Sequence, residues 1–227
     1  MKTFLAILLS VFNASALVTV SGTYPVSPVT IDTGNWNGFV GTPVSPNQFL
    51  TSGHVGGSVG DTFTVNGMSY TATEVVATTY LALWTVDRSF THWAALDLTP
   101  RNAMNPMPVF MTGGGGTTGW NEARFTPFFA WTTYDRNIGT YLGQFEAQAV
   151  SGDSGGGLWT FNDRNPELSG IIHAEAWGTR TYAITLRGHE EWLQSNLTPV
   201  AVPEPATSAL LLLAVGIGFV GYNYIRK

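Results

Sequence analysis

The chain between Leu17 and Thr198 reads as a succession of short strands. In TFTVNGMSYTATEVVAT apolar and polar residues alternate on either side of Asn66-Gly67, which predicts two strands joined by a type I′ hairpin. Further strands are predicted at Phe49–Ser52, Tyr80–Val86, Pro108–Met111, Gly143–Ala149, Gly156–Phe161, Ser169–Ala174 and Thr181–Thr185, with glycine and proline clusters between them. A helical pattern occurs once, in RGHEEWLQSNL from Arg187 to Leu197. No repeat of fixed period is visible. Many short strands separated by turn residues predict an all-β sandwich or barrel.

The two ends break this pattern. MKTFLAILLSVFNASALV carries Lys2, an apolar run from Phe4 to Phe12 and then Ala14-Ser15-Ala16, the layout of a signal peptide over residues 1–16 with cleavage after Ala16. At the other end, VPEPATSALLLLAVGIGFVGYNYIRK has a proline-rich lead, an apolar run from Ala206 to Ile225 and a basic finish at Arg226-Lys227. About 20 apolar residues cross a bilayer as a transmembrane helix, and a basic tail would stay cytoplasmic with the main domain outside. This segment resembles a PEP-CTERM sorting signal. The resemblance implies a Gram-negative bacterium, an exosortase partner that cuts near Pro203-Glu204-Pro205, and a final location in the periplasm, on the outer surface or outside the cell. A simple C-terminal membrane anchor is the plainer alternative. The expected organisation is a signal peptide at 1–16, one folded domain at 17–198, a linker at 199–205 and a membrane segment at 206–227.

Composition narrows the chemistry. The 227 residues are 44% hydrophobic and 11% charged, with 26 glycines and 12 prolines, as fits a folded β-rich domain rather than a disordered one. A net charge of −5 and the lack of a basic run exclude a nucleic-acid surface. The absence of cysteine removes disulfides, thiolate zinc sites and a thiol nucleophile together. No set of histidines and acids has zinc-ligand spacing, so no metal and no cofactor are implied.

One stretch raises the question of catalysis: SGDSGGGLW, Ser151 to Trp159, with Ser154 between glycines. A nucleophilic serine needs a base and oxyanion donors. Of the four histidines, His54 stands in FLTSGHVGG at the end of an apolar strand. FLTSGHVGG resembles the Thr-Ala-Ala-His segment of trypsin-like (chymotrypsin-type) serine peptidases, SGDSGGGLW their Gly-Asp-Ser-Gly-Gly segment, and LSGIIHA the Gly-Ile-Val strand that follows. The order, histidine first and serine last, is also theirs. The resemblance implies two six-stranded Greek-key β-barrels with a short C-terminal helix. It makes Ser154 the nucleophile, His54 the general base, and the backbone N–H groups of Gly152 and Ser154 the oxyanion hole.

The third member departs from the family pattern. Family members open a strand with Asp-Leu-Ala-Leu, whereas YLALWTV places Tyr80 in the aspartate's position. A second register, HWAALDL, places His92 there. Asp87 and Asp97 lie near these strands, but at positions that a regular strand turns to the opposite face; a bulge or loop could restore either. The group holding His54 is therefore open among the Tyr80 hydroxyl, His92 and a nearby acid such as Asp61, Asp87 or Asp97.

The resemblance also assigns lesser roles. Gln148 falls at the base of the primary specificity pocket and Glu175 at a pocket wall. A neutral Gln148 argues against a base built for Arg or Lys. Asp153 matches the residue that pairs with a new N-terminal amine in animal zymogens, but no Ile-Val-Gly-Gly start is present. MTGGGGTTG, Met111 to Gly119, lacks the Lys-Ser/Thr ending of a phosphate loop and reads as a β-connection. His189 reads as a solvated helix residue, and His173 as either a pocket or a core residue. The function expected is an exported serine endopeptidase acting on protein or peptide. The alternatives are a catalytically inactive relative that binds at a surface or in a matrix, and a serine esterase.

Overall fold

The structure is a computed structural model that describes residues 18–19, 32–101, 106–133, 147–162, 165–176 and 180–198. The expected signal peptide, the linker and the C-terminal span lie outside these residues. Among the described residues no helix is long and apolar enough to cross a membrane.

After a two-residue strand, β1 (Val18–Thr19), six strands close a first barrel: β2 (Gly34–Trp36), β3 (Phe39–Ser45), β4 (Gln48–Ser52), β5 (Thr62–Val65), β6 (Met68–Ala77) and β7 (Leu81–Val86). Their order around the barrel is β2-β3-β4-β7-β6-β5. The β5–β6 turn is the expected hairpin, with Asn66 at φ 51° and Gly67 at φ 73°, the paired left-handed conformations of a type I′ turn. Aromatic rings fill the interior. Phe49 stacks on Phe63 at 4.0 Å, and Trp36 meets Trp84 at 4.6 Å.

The second half contains β8 (Ala95–Leu96), β9 (Met107–Thr112), β10 (Thr118–Phe125), β11 (Phe129–Thr133), β12 (Ala147–Gln148), β13 (Gly157–Asn162), β14 (Asn165–Ala176) and β15 (Arg180–Thr185). Strands β13-β9-β10-β11-β15-β14 form a ring that the β13–β14 pairing closes, β8 adds to β14 in parallel, and β12 pairs with β1. With the strands of each ring counted one to six along the chain, both barrels read 1-2-3-6-5-4. The chain thus folds the same closed pattern twice.

A third apolar cluster joins the halves. Leu50, Leu81 and Leu83 of the first barrel pack with Phe110, Trp159, Leu168, Ile171 and Ile184 of the second, and Leu193 of the C-terminal helix caps them. That helix is α1 (Glu190–Asn196), preceded by a 3₁₀ turn at Arg187–His189. The helical stretch is therefore shorter than its sequence pattern, and His189 sits in the 3₁₀ turn rather than on a regular helix. His189 is also half-buried rather than solvated, with its ring 6.4 Å from Phe128 and 6.4 Å from Tyr80.

Candidate active site

Strand β4 is wholly buried and ends at Ser52. The chain then tightens into a 3₁₀ turn, Gly53–Val55, which lifts the exposed His54 ring out of the first barrel. Gly53 is confined there, since a Cβ would fall 2.8 Å from the Thr79 oxygen. Its N–H donates to the Tyr80 oxygen at 2.8 Å, tying the turn to the start of β7.

The second barrel supplies Ser154 from the glycine-rich connection between β12 and β13. Gly152 at φ 99° and Gly155 at φ 92° take backbone conformations that other residues rarely adopt. Asp153, fully buried, holds this connection from within. One carboxylate oxygen accepts from Gly114 N–H at 2.7 Å and the other from Val150 N–H at 2.8 Å. MTGGGGTTG is thus a β-connection with a 3₁₀ turn, braced against the serine loop by Asp153. The Ser154 oxygen accepts from Val40 N–H at 2.9 Å, so the loop is also pinned to the first barrel. Among the described residues the N–H groups of Gly152 and Ser154 make no hydrogen bond, which leaves both donors available.

The two segments bring His54 Nε2 to 3.1 Å from Ser154 Oγ. The His173 carbonyl oxygen lies 3.4 Å from the same hydroxyl, a longer and weaker alternative acceptor. On its far side, His54 Nδ1 lies 2.9 Å from Ser52 Oγ and 3.3 Å from His173 Nδ1. Ser52 Oγ is in turn 2.5 Å from His173 Nδ1. Ser52, fully buried, therefore bridges two imidazoles. Burial, and then the neighbouring His54, pull the His173 pKa below its ordinary value of 6.5.

Neither Ser52 nor His173 stood out in the sequence as a partner of the base. Ser52 left only a faint trace, a hydroxyl two positions before His54 at the end of the strand that presents it. His173 left none. It is the extra residue where β14 slips against β15, with Ile172 facing Ala183 and Ala174 facing Tyr182. Such a bulge re-aims one side chain, and here it carries His173 against His54, ring to ring at 4.7 Å.

The groups considered for the third position lie elsewhere. Tyr80, 39% exposed, sets its ring edge-on to His173 at 5.9 Å. His92 pairs with Asp32 at 3.5 Å. Asp61 accepts from Ser58 N–H at 2.8 Å, and Asp87 from Thr71 N–H at 3.0 Å. Asp97 is buried and binds Arg101, the Thr160 hydroxyl at 2.5 Å and Thr99 N–H at 2.9 Å. Burial pushes its carboxyl up, but the hydrogen bonds from Thr160, Arg101 and Thr99 outweigh that and hold its pKa below 3.8. Gln148 is buried in β12 opposite Val18, and Glu175 pairs with Thr181 through the backbone near the end of β14.

Comparison with known proteins adds two findings. Residues 201–227 match the PEP-CTERM protein-sorting motif, which marks the chain for export, recognition by an exosortase and sorting to the cell envelope or surface. No curated protein matches the chain in sequence. Among solved structures, the chain is similar to the active form of the Rv3671c protease from M. tuberculosis, with a TM-score of 0.55 and 18% identity over 75% of this chain and 82% of that one. It is likewise similar to the inactive form, with a TM-score of 0.51 and 21% identity over 73% and 87% of the two chains. At these identities the likeness establishes the fold, a trypsin-like double β-barrel.

Proposed function

We propose that the chain is an exported serine endopeptidase in which Ser154 attacks the peptide carbonyl and His54 is the general base. The observation that carries this reading is the 3.1 Å approach of His54 Nε2 to Ser154 Oγ across the barrel interface. Ser154 Oγ bonds to the carbonyl carbon while its proton passes to His54 Nε2. Negative charge then builds on the carbonyl oxygen, where the N–H groups of Gly152 and Ser154 would receive it. Collapse breaks the C–N bond, and His54 returns its proton to the departing amine. Water, deprotonated by the same imidazole, then hydrolyses the acyl-enzyme. Gln148 would floor the specificity pocket with a neutral amide, unsuited to a Lys or Arg side chain, with Glu175 at its wall. The signal peptide over residues 1–16, the membrane helix from Ala206 and cutting near Pro203-Glu204-Pro205 complete the proposed export route.

A second reading rests on a specific feature: no carboxylate reaches His54 Nδ1 among the described residues, whose partners there are Ser52 and His173. That favours an inactive relative which retains the fold for binding. Fluorophosphonate labelling of the purified protein separates the two. Labelling that disappears in Ser154→Ala and in His54→Ala, but persists in His189→Ala, supports the peptidase. No labelling of the natural chain supports the binding protein. Labelling without turnover of casein, but with turnover of short acyl esters, assigns an esterase.

A further inference from the structure

We infer that Ser52 and His173 together take the place that a carboxylate holds in a Ser-His-Asp triad, holding His54 in the tautomer that can accept a proton from Ser154. The inference rests on the peptidase reading for its catalytic meaning, and on the geometry at Ser52 for its structure.

The direction of each hydrogen bond follows from counting protons. To act as base, His54 must offer the Nε2 lone pair to Ser154, so its proton sits on Nδ1. That Nδ1–H points at Ser52 Oγ, 2.9 Å away. Ser52 has one proton of its own, and its other close neighbour is His173 Nδ1 at 2.5 Å. Ser52 therefore donates to His173, which accepts only if its Nδ1 is unprotonated. The result is a one-way chain: Ser154 O–H to His54 Nε2, His54 Nδ1–H to Ser52 Oγ, and Ser52 O–H to His173 Nδ1. Nothing in it carries a formal charge before reaction. When His54 gains the serine proton, it is steadied by a polarised hydroxyl rather than by a carboxylate.

The surroundings keep His173 in the form this chain requires. Among the described residues, titratable groups reach it from two elements: His54 from the turn after β4, and the Tyr80 ring, 5.9 Å away, from the turn before β7. The nucleophile loop contributes only the neutral Ser154 hydroxyl at the His173 oxygen, and the end of β4 only Ser52. No carboxylate among the described residues hydrogen-bonds it, and burial beside His54 disfavours its cation. Protonation of His173 would turn Nδ1 into a donor aimed at Ser52. Ser52 would then accept from His173 and turn its own proton toward His54 Nδ1, driving His54 to the Nε2–H tautomer. That tautomer cannot take a proton from Ser154. Ser52 and His173 are thus positioning residues, and they make activity depend on two neutral imidazoles rather than one.

The test uses the purified full-length chain in detergent, with ¹⁵N-labelled histidine. At pH 8, NMR of the natural protein should show His54 protonated at Nδ1 and His173 at Nε2. Ser52→Ala and His173→Leu, which leaves Ser52 no acceptor at that position, should move His54 toward the Nε2–H form, and Ser52→Thr, which keeps a hydroxyl, should retain the Nδ1–H form. With a peptide substrate, kcat should fall about 10²-fold in Ser52→Ala at little change in KM, less than the roughly 10⁴-fold that follows loss of a triad carboxylate. A His54 tautomer unchanged in both Ser52→Ala and His173→Leu overturns the inference. Undiminished turnover in Ser154→Ala overturns the peptidase reading instead, and the tautomer measurement still decides the role of Ser52 and His173.

Discussion

Gly155 and Val40 meet backbone to backbone across the barrel interface: a Cβ on Gly155 would lie 1.8 Å from the Val40 oxygen and 2.3 Å from the Thr51 hydroxyl. Gly155 also has φ 92°, gives its N–H to Ile172 at 2.8 Å and offers its oxygen to Thr42 at 3.2 Å. No side chain fits there without moving a strand. Gly155→Ala should cost on the order of 2–5 kcal/mol, combining strain at positive φ with overpacking. Thermal melting measures the loss. Fluorophosphonate labelling should vanish even from molecules that remain folded, because the same residue sets the path of Ser154. A variant that melts normally and labels fully would show that the loop adapts elsewhere.

Asp97 should be a residue of stability rather than of catalysis. Its carboxylate lies beneath Thr160 and against Arg101, with no bond to His54. Asp97→Asn breaks the ion pair and weakens two further hydrogen bonds, a loss of about 3 kcal/mol for a mostly buried pair. Turnover per labelled serine should be unchanged. A rate that drops by orders of magnitude in a variant of normal stability would make Asp97 the third catalytic member.

Acid should weaken the fold in two stages. Burial lowers the pKa values of His173 and His189 below 6.5, with His54 adding to the shift at His173. Each therefore binds its proton more readily in the unfolded chain. The stability they contribute is complete above pH 6.5, declines as pH falls through that value, and levels off below their folded-state pKa values. Asp97 has the opposite charge and a lowered pKa, so its contribution is present above 3.8 and disappears as pH falls below that value. Melting temperature followed from pH 8 to pH 3 should show both declines. The double variant His173→Gln, His189→Gln should flatten the first and leave the second. A melting temperature that holds constant from pH 7.5 to 5 would contradict the assignment.

What could be read in advance depended on whether structure follows from local sequence. The β5–β6 hairpin was legible because Asn66-Gly67 specifies its own turn. His54 and Ser154 were legible as candidates because each stands in a short contiguous segment, FLTSGHVGG and SGDSGGGLW, that resembles a trypsin-like motif. Strand β10 escaped notice because its inward positions are Gly119, Asn121, Ala123 and Phe125, which disguise the alternation with small and polar residues. Strand β3 also went unpredicted: it contains Gly41 and Pro43, residues that weaken a strand pattern, yet it is buried strand with a register slip after Pro43. The partners of His54 were least legible of all. The position of His173 depends on how β14 slips against β15, and that register is set by packing across the second barrel rather than by residues near 173.

The division of the site between barrels has a consequence in time. His54 and Ser154 are 100 positions apart, and each belongs to a different closed ring. Neither half of the chain alone sets the Ser154 hydroxyl beside the His54 imidazole. Their meeting requires both rings to close and the shared apolar cluster around Leu50, Trp159 and Ile171 to form. Pairings so distant in sequence are slow to assemble. The candidate site is therefore assembled only at the last step of folding, when the two rings dock.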